Sequence, residues 1–131
     1  MIQPAGMTDI ERLLQLEEAL FDNPMSEKML IHELTRGRGW KYMQGDQMAG
    51  YILVRFDSGL TDITRLGVES QSHRRGIGSK LLSTALEGIS DAMLTVKKTN
   101  EPAILMYRKY GFQIVAHLSA AGAFVMRRTV T

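Results

Sequence analysis

The chain has 131 residues, 44% of them hydrophobic and 23% charged, with a net charge of +2 and no cysteine. That length and balance fit one globular domain over residues 1–131. They exclude a disordered chain, a disulfide framework, a thiolate metal site and a cysteine nucleophile. The small net charge gives no footprint for nucleic acid, and no stretch interleaves aromatic with basic residues. No run approaches the roughly 20 apolar residues of a membrane span, and the N-terminus lacks a signal-peptide core. A cytoplasmic monomer or homodimer, without a membrane or nucleic-acid partner, is the expectation.

Residues 1–5 read as a short edge strand, with Pro4 limiting its pairing. Thr8 or Asp9 is placed to cap a helix whose apolar stripe is Ile10, Leu13, Leu14, Leu16, Leu20 and Phe21. Asn23-Pro24 breaks it. Ser26 suits the N-cap of a second helix that buries Met29, Leu30 and Leu34 and stops at the glycines of 36–39. Residues 40–44 and 48–56 read as a hairpin around Gly45-Asp46-Gln47. No metal spacing is present, since His32, His73 and His117 are scattered.

The organising stretch is 60–86. Residues 60–68 have the branched, alternating texture of a strand, and Gly67 within it marks a bulge, a close backbone approach or a packing allowance. A polar segment follows, and from Gly76 onward Ile77, Leu81, Leu82, Ala85, Leu86 and Ile89 fall on one helical face. Arg74, Arg75, Gly76, Ile77 and Gly78 therefore meet the first turn of a helix, where free amides and the helix dipole favour an anion. A strand at 92–96, parallel to the first, completes a right-handed β-α-β unit. Asn100 then caps a helix that tolerates Pro102 in its first turn, and Ala103 and Tyr107 share a face of it. Gly111 ends that helix, and strands at 113–118 and 123–130 follow. The order is β-α-α-β-β-β-α-β-α-β-β, an α/β chain with a mixed sheet and helices on both faces.

Two motifs in this order carry a resemblance. HRRGIG, residues 73–78, is similar to the Q/R-x-x-G-x-G/A acyl-CoA loop of the GNAT N-acetyltransferases, with His73 in place of the Gln or Arg. N-x-x-A-x-x-x-Y-x-x-x-G-F, beginning at Asn100, resembles the second signature of the same family. Residues 16–34 also look like the F-x-x-P-W/M-S-x-x-x-L entry region of the ribosomal-protein alanine N-acetyltransferase branch, with Met25 at its aromatic position.

The resemblance implies the GNAT fold and direct transfer of acetyl from acetyl-CoA to an amine, with no metal. Backbone groups of Leu66, Gly67 and Val68 would pair with the pantetheine amides, and the Val68 N–H would polarise the thioester carbonyl. The amides of 74–79, ending at Ser79, would take the diphosphate, with His73 beside them. Asn100 and Ala103 would line the pantetheine arm, and Tyr107 would serve the departing thiolate. A phenol of pKa ~10 protonating a thiolate of pKa ~8.5 is uphill by about 2 kcal/mol, so a hydrogen bond to the thiolate is the cheaper role.

Where the ribosomal branch has a glutamate, five residues before the motif asparagine, this chain has Thr95. Glu69 is the candidate base, through water, with Glu33 and Glu101 behind it. An α-amine of pKa ~7.7–8.0 needs less help than a lysine near 10.4, which favours a protein N-terminus as acceptor. A small-molecule amine and a weakly catalytic acyl-CoA-sensing module are the alternatives, the latter suggested by His73 and Thr95.

Overall fold

The computed structural model describes residues 1–73 and 75–130. Its frame is a seven-stranded sheet: β1 (Ile2–Ala5), β2 (Arg38–Gln44), β3 (Gln47–Asp57), β4 (Leu60–Val68), β5 (Asp91–Lys97), β6 (Gln113–Leu118) and β7 (Ala123–Thr129). Strands lie in the order β1-β2-β3-β4-β5-β7-β6. All neighbours are antiparallel except β4 and β5. Four helices cover the two faces: α1 (Ile10–Leu20), α2 (Glu27–Arg36), α3 (Ile77–Ala85) and α4 (Glu101–Lys109). The element order and the mixed sheet are those expected from the sequence.

β3 is buried on both faces from Met48 to Val54, so its side chains feed two cores. On one side Ile52 and Val54 pack with Leu81, Leu82 and Ala85 of α3 and with Ile104 and Tyr107 of α4. On the other, Tyr51 and Leu53 pack with Leu13 and Leu16 of α1 and Leu30 of α2. Fully buried leucines such as Leu81 and Leu82 each contribute roughly 1.5–3 kcal/mol.

Local signals explain most boundaries. Ser26 caps α2, its hydroxyl accepting the Met29 N–H at 3.2 Å. Asn100 caps α4 by accepting from the Ala103 N–H at 3.4 Å. Asp9 stands at the start of α1 but does not cap it. Its carboxylate accepts from the Gly6 N–H and pairs with Lys41, and Met7–Asp9 form a short 3-10 turn. Met29 is also displaced from expectation: it is exposed, and Glu33 takes the inward position on α2 and binds Arg55.

Two irregularities in β4 shape the region beside α3 and α4. The register against β3 shifts between Leu53 and Val54, which leaves Thr64 as the extra residue of a bulge. The bulge thus falls at Thr64 and not at Gly67. Gly67 is a close-approach glycine, because a Cβ there would lie 3.0–3.1 Å from the Tyr51 ring. β4 also pairs with β5 only at Thr61, Asp62 and Ile63, so the two strands part beyond Ile63.

Candidate active site

Where β4 and β5 part, one side of β4 has no strand to bond among the described residues. In an antiparallel ladder alternate residues turn both backbone groups toward the partner. The Glu69 N–H bonds to the Ala49 carbonyl, which fixes the phase of the ladder. Leu66 and Val68 therefore turn their N–H and C=O toward the gap, while those of Gly67 turn back to Tyr51 of β3. The expected backbone trio is thus a pair. The Val68 carbonyl accepts from His73 Nε2 at 2.9 Å, which leaves the Val68 N–H as the donor facing the gap.

The gap opens into a cleft of about 750 Å³ between β4, α3 and α4. Its walls bring together Leu66, Val68, His73, Gly76, Ile77, Gly78, Ser79, Asn100, Ala103 and Tyr107. Met106 and Pro102 add apolar surface. At one end stands the start of α3. The first helical hydrogen bond runs from the Lys80 N–H to the Gly76 carbonyl, so the amides of Ile77, Gly78 and Ser79 precede it. Among the described residues no side chain caps this end, in contrast to α2 and α4. Gly76 holds φ +73°, a conformation that side chains resist, and among the described residues nothing lies within 4 Å of where its Cβ would be. Uncapped amides at the positive end of a helix, in an open cleft, fit a diphosphate.

Arg75 is exposed and does not line the cleft, and Arg74 lies outside the described residues. Glu69 is also not brought to the cleft. Its carboxylate accepts from Arg12 Nη2 at 2.6 Å and from Gln71 Nε2 at 2.6 Å, on the far side of the β4 end. Tied by two donors and absent from the cleft walls, it is poorly placed to receive a proton from an acceptor.

Tyr107 is 7% exposed, and its ring packs edge-on against Phe112 with centroids 5.8 Å apart. Burial pushes its phenol up to about 12. Its hydroxyl has no protein partner among the described residues.

A second cleft, of about 340 Å³, meets the first from the α1 side. Leu66, Asn100 and Tyr107 line both. Its other walls include Phe21, Asp22, Arg65, Thr95 and Lys97. Thr95 does face this cleft. The carboxylate among its described walls is that of Asp22, which is 94% exposed and 3.3 Å from Lys97 Nζ. Glu33 is engaged by Arg55, and Glu101 is exposed in the first turn of α4.

Beneath this second cleft lies a network that the sequence motifs do not reach. Glu17, fully buried, accepts from Arg65 Nε at 3.1 Å and Nη2 at 2.7 Å, from the Met25 N–H at 2.7 Å, and from the Tyr51 hydroxyl. One signal could have found it: Glu17 follows Leu13 by four residues and so shares the buried face of α1.

Comparison with known proteins agrees with this geometry. An acetyltransferase (GNAT) domain family model matches residues 35–114. The N-alpha-acetyltransferase RimI of Mycobacterium tuberculosis is 30% identical over 137 residues, covering 92% of this chain and 86% of the relative. The ribosomal-protein-S18-alanine N-acetyltransferase of Escherichia coli superposes with a TM-score of 0.89 at 20% identity, over 100% of this chain and 94% of that one. The PaiA N-acetyltransferase of Thermoplasma acidophilum, solved with coenzyme A, superposes with a TM-score of 0.84 at 18% identity, over 99% and 98%. The chain spans only about a quarter of the length of the mycothiol acetyltransferases of Clavibacter that it also matches. With its fold, its paired clefts and this family match in agreement, the chain belongs to the GNAT acetyltransferase family.

Proposed function

We propose that the chain transfers the acetyl group of acetyl-CoA to a primary amine, and that the amine is the α-amine of a protein or peptide N-terminus. The observation that carries this reading is the junction of two clefts at Leu66, Asn100 and Tyr107. One cleft suits a long ligand with an anionic tail, and the other is open to a second reactant. A relative named as an N-alpha-acetyltransferase over most of this chain supports the choice of acceptor.

Acetyl-CoA supplies an acyl group already activated as a thioester. The amides of Ile77, Gly78 and Ser79 bind its diphosphate, assisted by the dipole of α3. Leu66, Val68, Ala103, Pro102 and Met106 shield the pantetheine arm, which adds to the free side of β4 as a strand would. The Val68 N–H holds and polarises the carbonyl oxygen. Tyr107 Oη keeps its own proton and hydrogen-bonds the departing sulfur. Giving that proton up to a thiolate of pKa ~8.5, from a phenol at about 12, would be uphill by about 5 kcal/mol. The proton therefore comes from the amine. An α-amine of pKa ~7.7–8.0 is roughly 25–40% neutral at pH 7.5, whereas a lysine near 10.4 is about 0.1% neutral, so a site with Thr95 in place of a glutamate suits the former.

The test is thiol release from acetyl-CoA with a panel of peptides, followed by mass spectrometry of the product. The expected result is release of CoA and an acetyl group on the free N-terminus, with lysine-containing peptides of blocked N-terminus unreactive. Tight acetyl-CoA binding without release above background would replace this reading with a sensing module. A small metabolite amine is the second reading, favoured by the modest 340 Å³ of the acceptor cleft and by the named mycothiol acetyltransferases among its relatives. Acetylation of such amines with all peptides inert would select it.

A further inference from the structure

Arg65 is the one guanidinium among the described walls of the acceptor cleft, and it is held there with unusual firmness. The bulge at Thr64 turns it onto the α1 face of the sheet. There Nε and Nη2 both bind the Glu17 carboxylate, and Nη2 also donates to the Asn23 carbonyl at 3.1 Å. The Phe21 ring covers it, with its centroid 4.1 Å from Cζ. Glu17 cannot yield, because its two oxygens are also bonded to the Met25 N–H and the Tyr51 hydroxyl in a fully buried setting. The remaining nitrogen, Nη1, has no protein partner among the described residues, and the side chain keeps 20% of its surface exposed.

We propose that Arg65 reads the acceptor, with Nη1 donating to an oxygen next to the carbon that bears the amine. The site then selects α-amino acyl groups, in which a carbonyl sits beside the amine carbon, over alkyl amines and lysine side chains. This rests on the amine acetylation proposed above and narrows its substrate class. A fork already immobilised by Glu17 and Phe21 gives up little freedom when it bonds one more oxygen. A carbonyl next to the amine carbon lowers amine basicity, so the group that bonds Nη1 also makes the amine reactive. A peptide end and a free amino acid both present that oxygen, although an amide carbonyl lowers the amine's basicity far more than a carboxylate does, and the assay separates them.

The experiment compares three acceptors: alanyl-glycinamide, free alanine, and 2,2-difluoroethylamine, a weakly basic amine without a carbonyl. The native protein should prefer alanyl-glycinamide to difluoroethylamine by roughly tenfold or more in kcat/KM, the worth of a charge-assisted hydrogen bond. Two variants complete the set: R65K, and the double variant E17Q/R65Q, which leaves neither charge buried alone. In either, KM for alanyl-glycinamide should rise about tenfold with kcat nearly unchanged, while KM for difluoroethylamine and CoA affinity stay within about twofold. Equal turnover of both amines by the native protein, or parallel KM rises in the variants, would overturn the assignment. A native protein that acetylates only difluoroethylamine refutes the role of Arg65 but not amine acetylation. One that acetylates none of the three refutes both. Free alanine serving as well as the peptide keeps the Arg65 contact and moves the source of the acceptor to a metabolite.

Discussion

Replacing Gly76 with aspartate or with asparagine isolates the charge at the diphosphate cradle. Both side chains tolerate the left-handed backbone better than other residues, and a Cβ at this position meets nothing within 4 Å among the described residues. The strain is thus similar in the two variants and cancels between them. What differs is one negative charge beside the first amides of α3. Two unit charges about 4 Å apart repel by ~1 kcal/mol in water and ~4 kcal/mol at the effective dielectric of a protein surface. At 1.4 kcal/mol per decade, aspartate should weaken CoA binding by roughly 5-fold to 1,000-fold relative to asparagine. The gap should narrow with added salt, as screening shortens the reach of the charge. Calorimetric titration with CoA at low and high ionic strength reads it directly, and thermal unfolding checks that both variants fold. Equal affinities for the aspartate and asparagine variants would refute the placement of the diphosphate.

Other outcomes rest on the same structure. Tyr107→Phe should leave CoA affinity unchanged and slow acetyl transfer by about 10²-fold or more, read as thiol release under saturating acetyl-CoA. The native phenol, held near 12, stays protonated while an unfolded one ionises above 10, so its contribution to stability is present below pH 10 and is lost between 10 and 12. Urea melts across that range should fall more steeply for the native protein than for Tyr107→Phe, by up to about 3 kcal/mol. Gly67→Ala should destabilise by roughly 1–3 kcal/mol, because its methyl meets the Tyr51 ring, and Tyr51 is locked to Glu17. Burial raises the Asp62 carboxyl despite the Arg55 charge nearby, so its charged form is disfavoured in the fold. Stability from that group is present below the ordinary carboxylate range and is lost as pH rises through the higher folded value. Asp62→Asn should accordingly be more stable than the native protein at pH 7, with the difference shrinking toward pH 4.

The cofactor side of the site is legible in the sequence because that side is built from local chemistry. Glycines at a helix start, an asparagine at a cap and a tyrosine two turns later announce themselves by type and spacing, and one cleft brings Gly76, Gly78, Asn100 and Tyr107 together. The acceptor side is built from contacts distant in sequence. Glu17 and Arg65 are 48 residues apart, and their pairing depends on a bulge at Thr64 that no turn residue signals. Glu69 misleads for the converse reason. Its place just after β4 suggests proximity to the chemistry, but the ladder continues through its N–H to Ala49 and its side chain meets Arg12, 57 residues away. Gly67 reads in the sequence as a bulge, a close backbone approach or a packing allowance, and the neighbouring ring of Tyr51 selects among them. Its backbone faces inward for the same parity reason that turns Leu66 and Val68 outward.

The most direct measurement is a crystal structure with CoA and an alanyl peptide bound. The diphosphate should lie against the amides of Ile77, Gly78 and Ser79, the sulfur beside Tyr107, and the peptide α-amine should enter from the cleft walled by Arg65 and Thr95. CoA bound anywhere other than the gap between β4 and β5, or a peptide seated away from Tyr107, would contradict this arrangement.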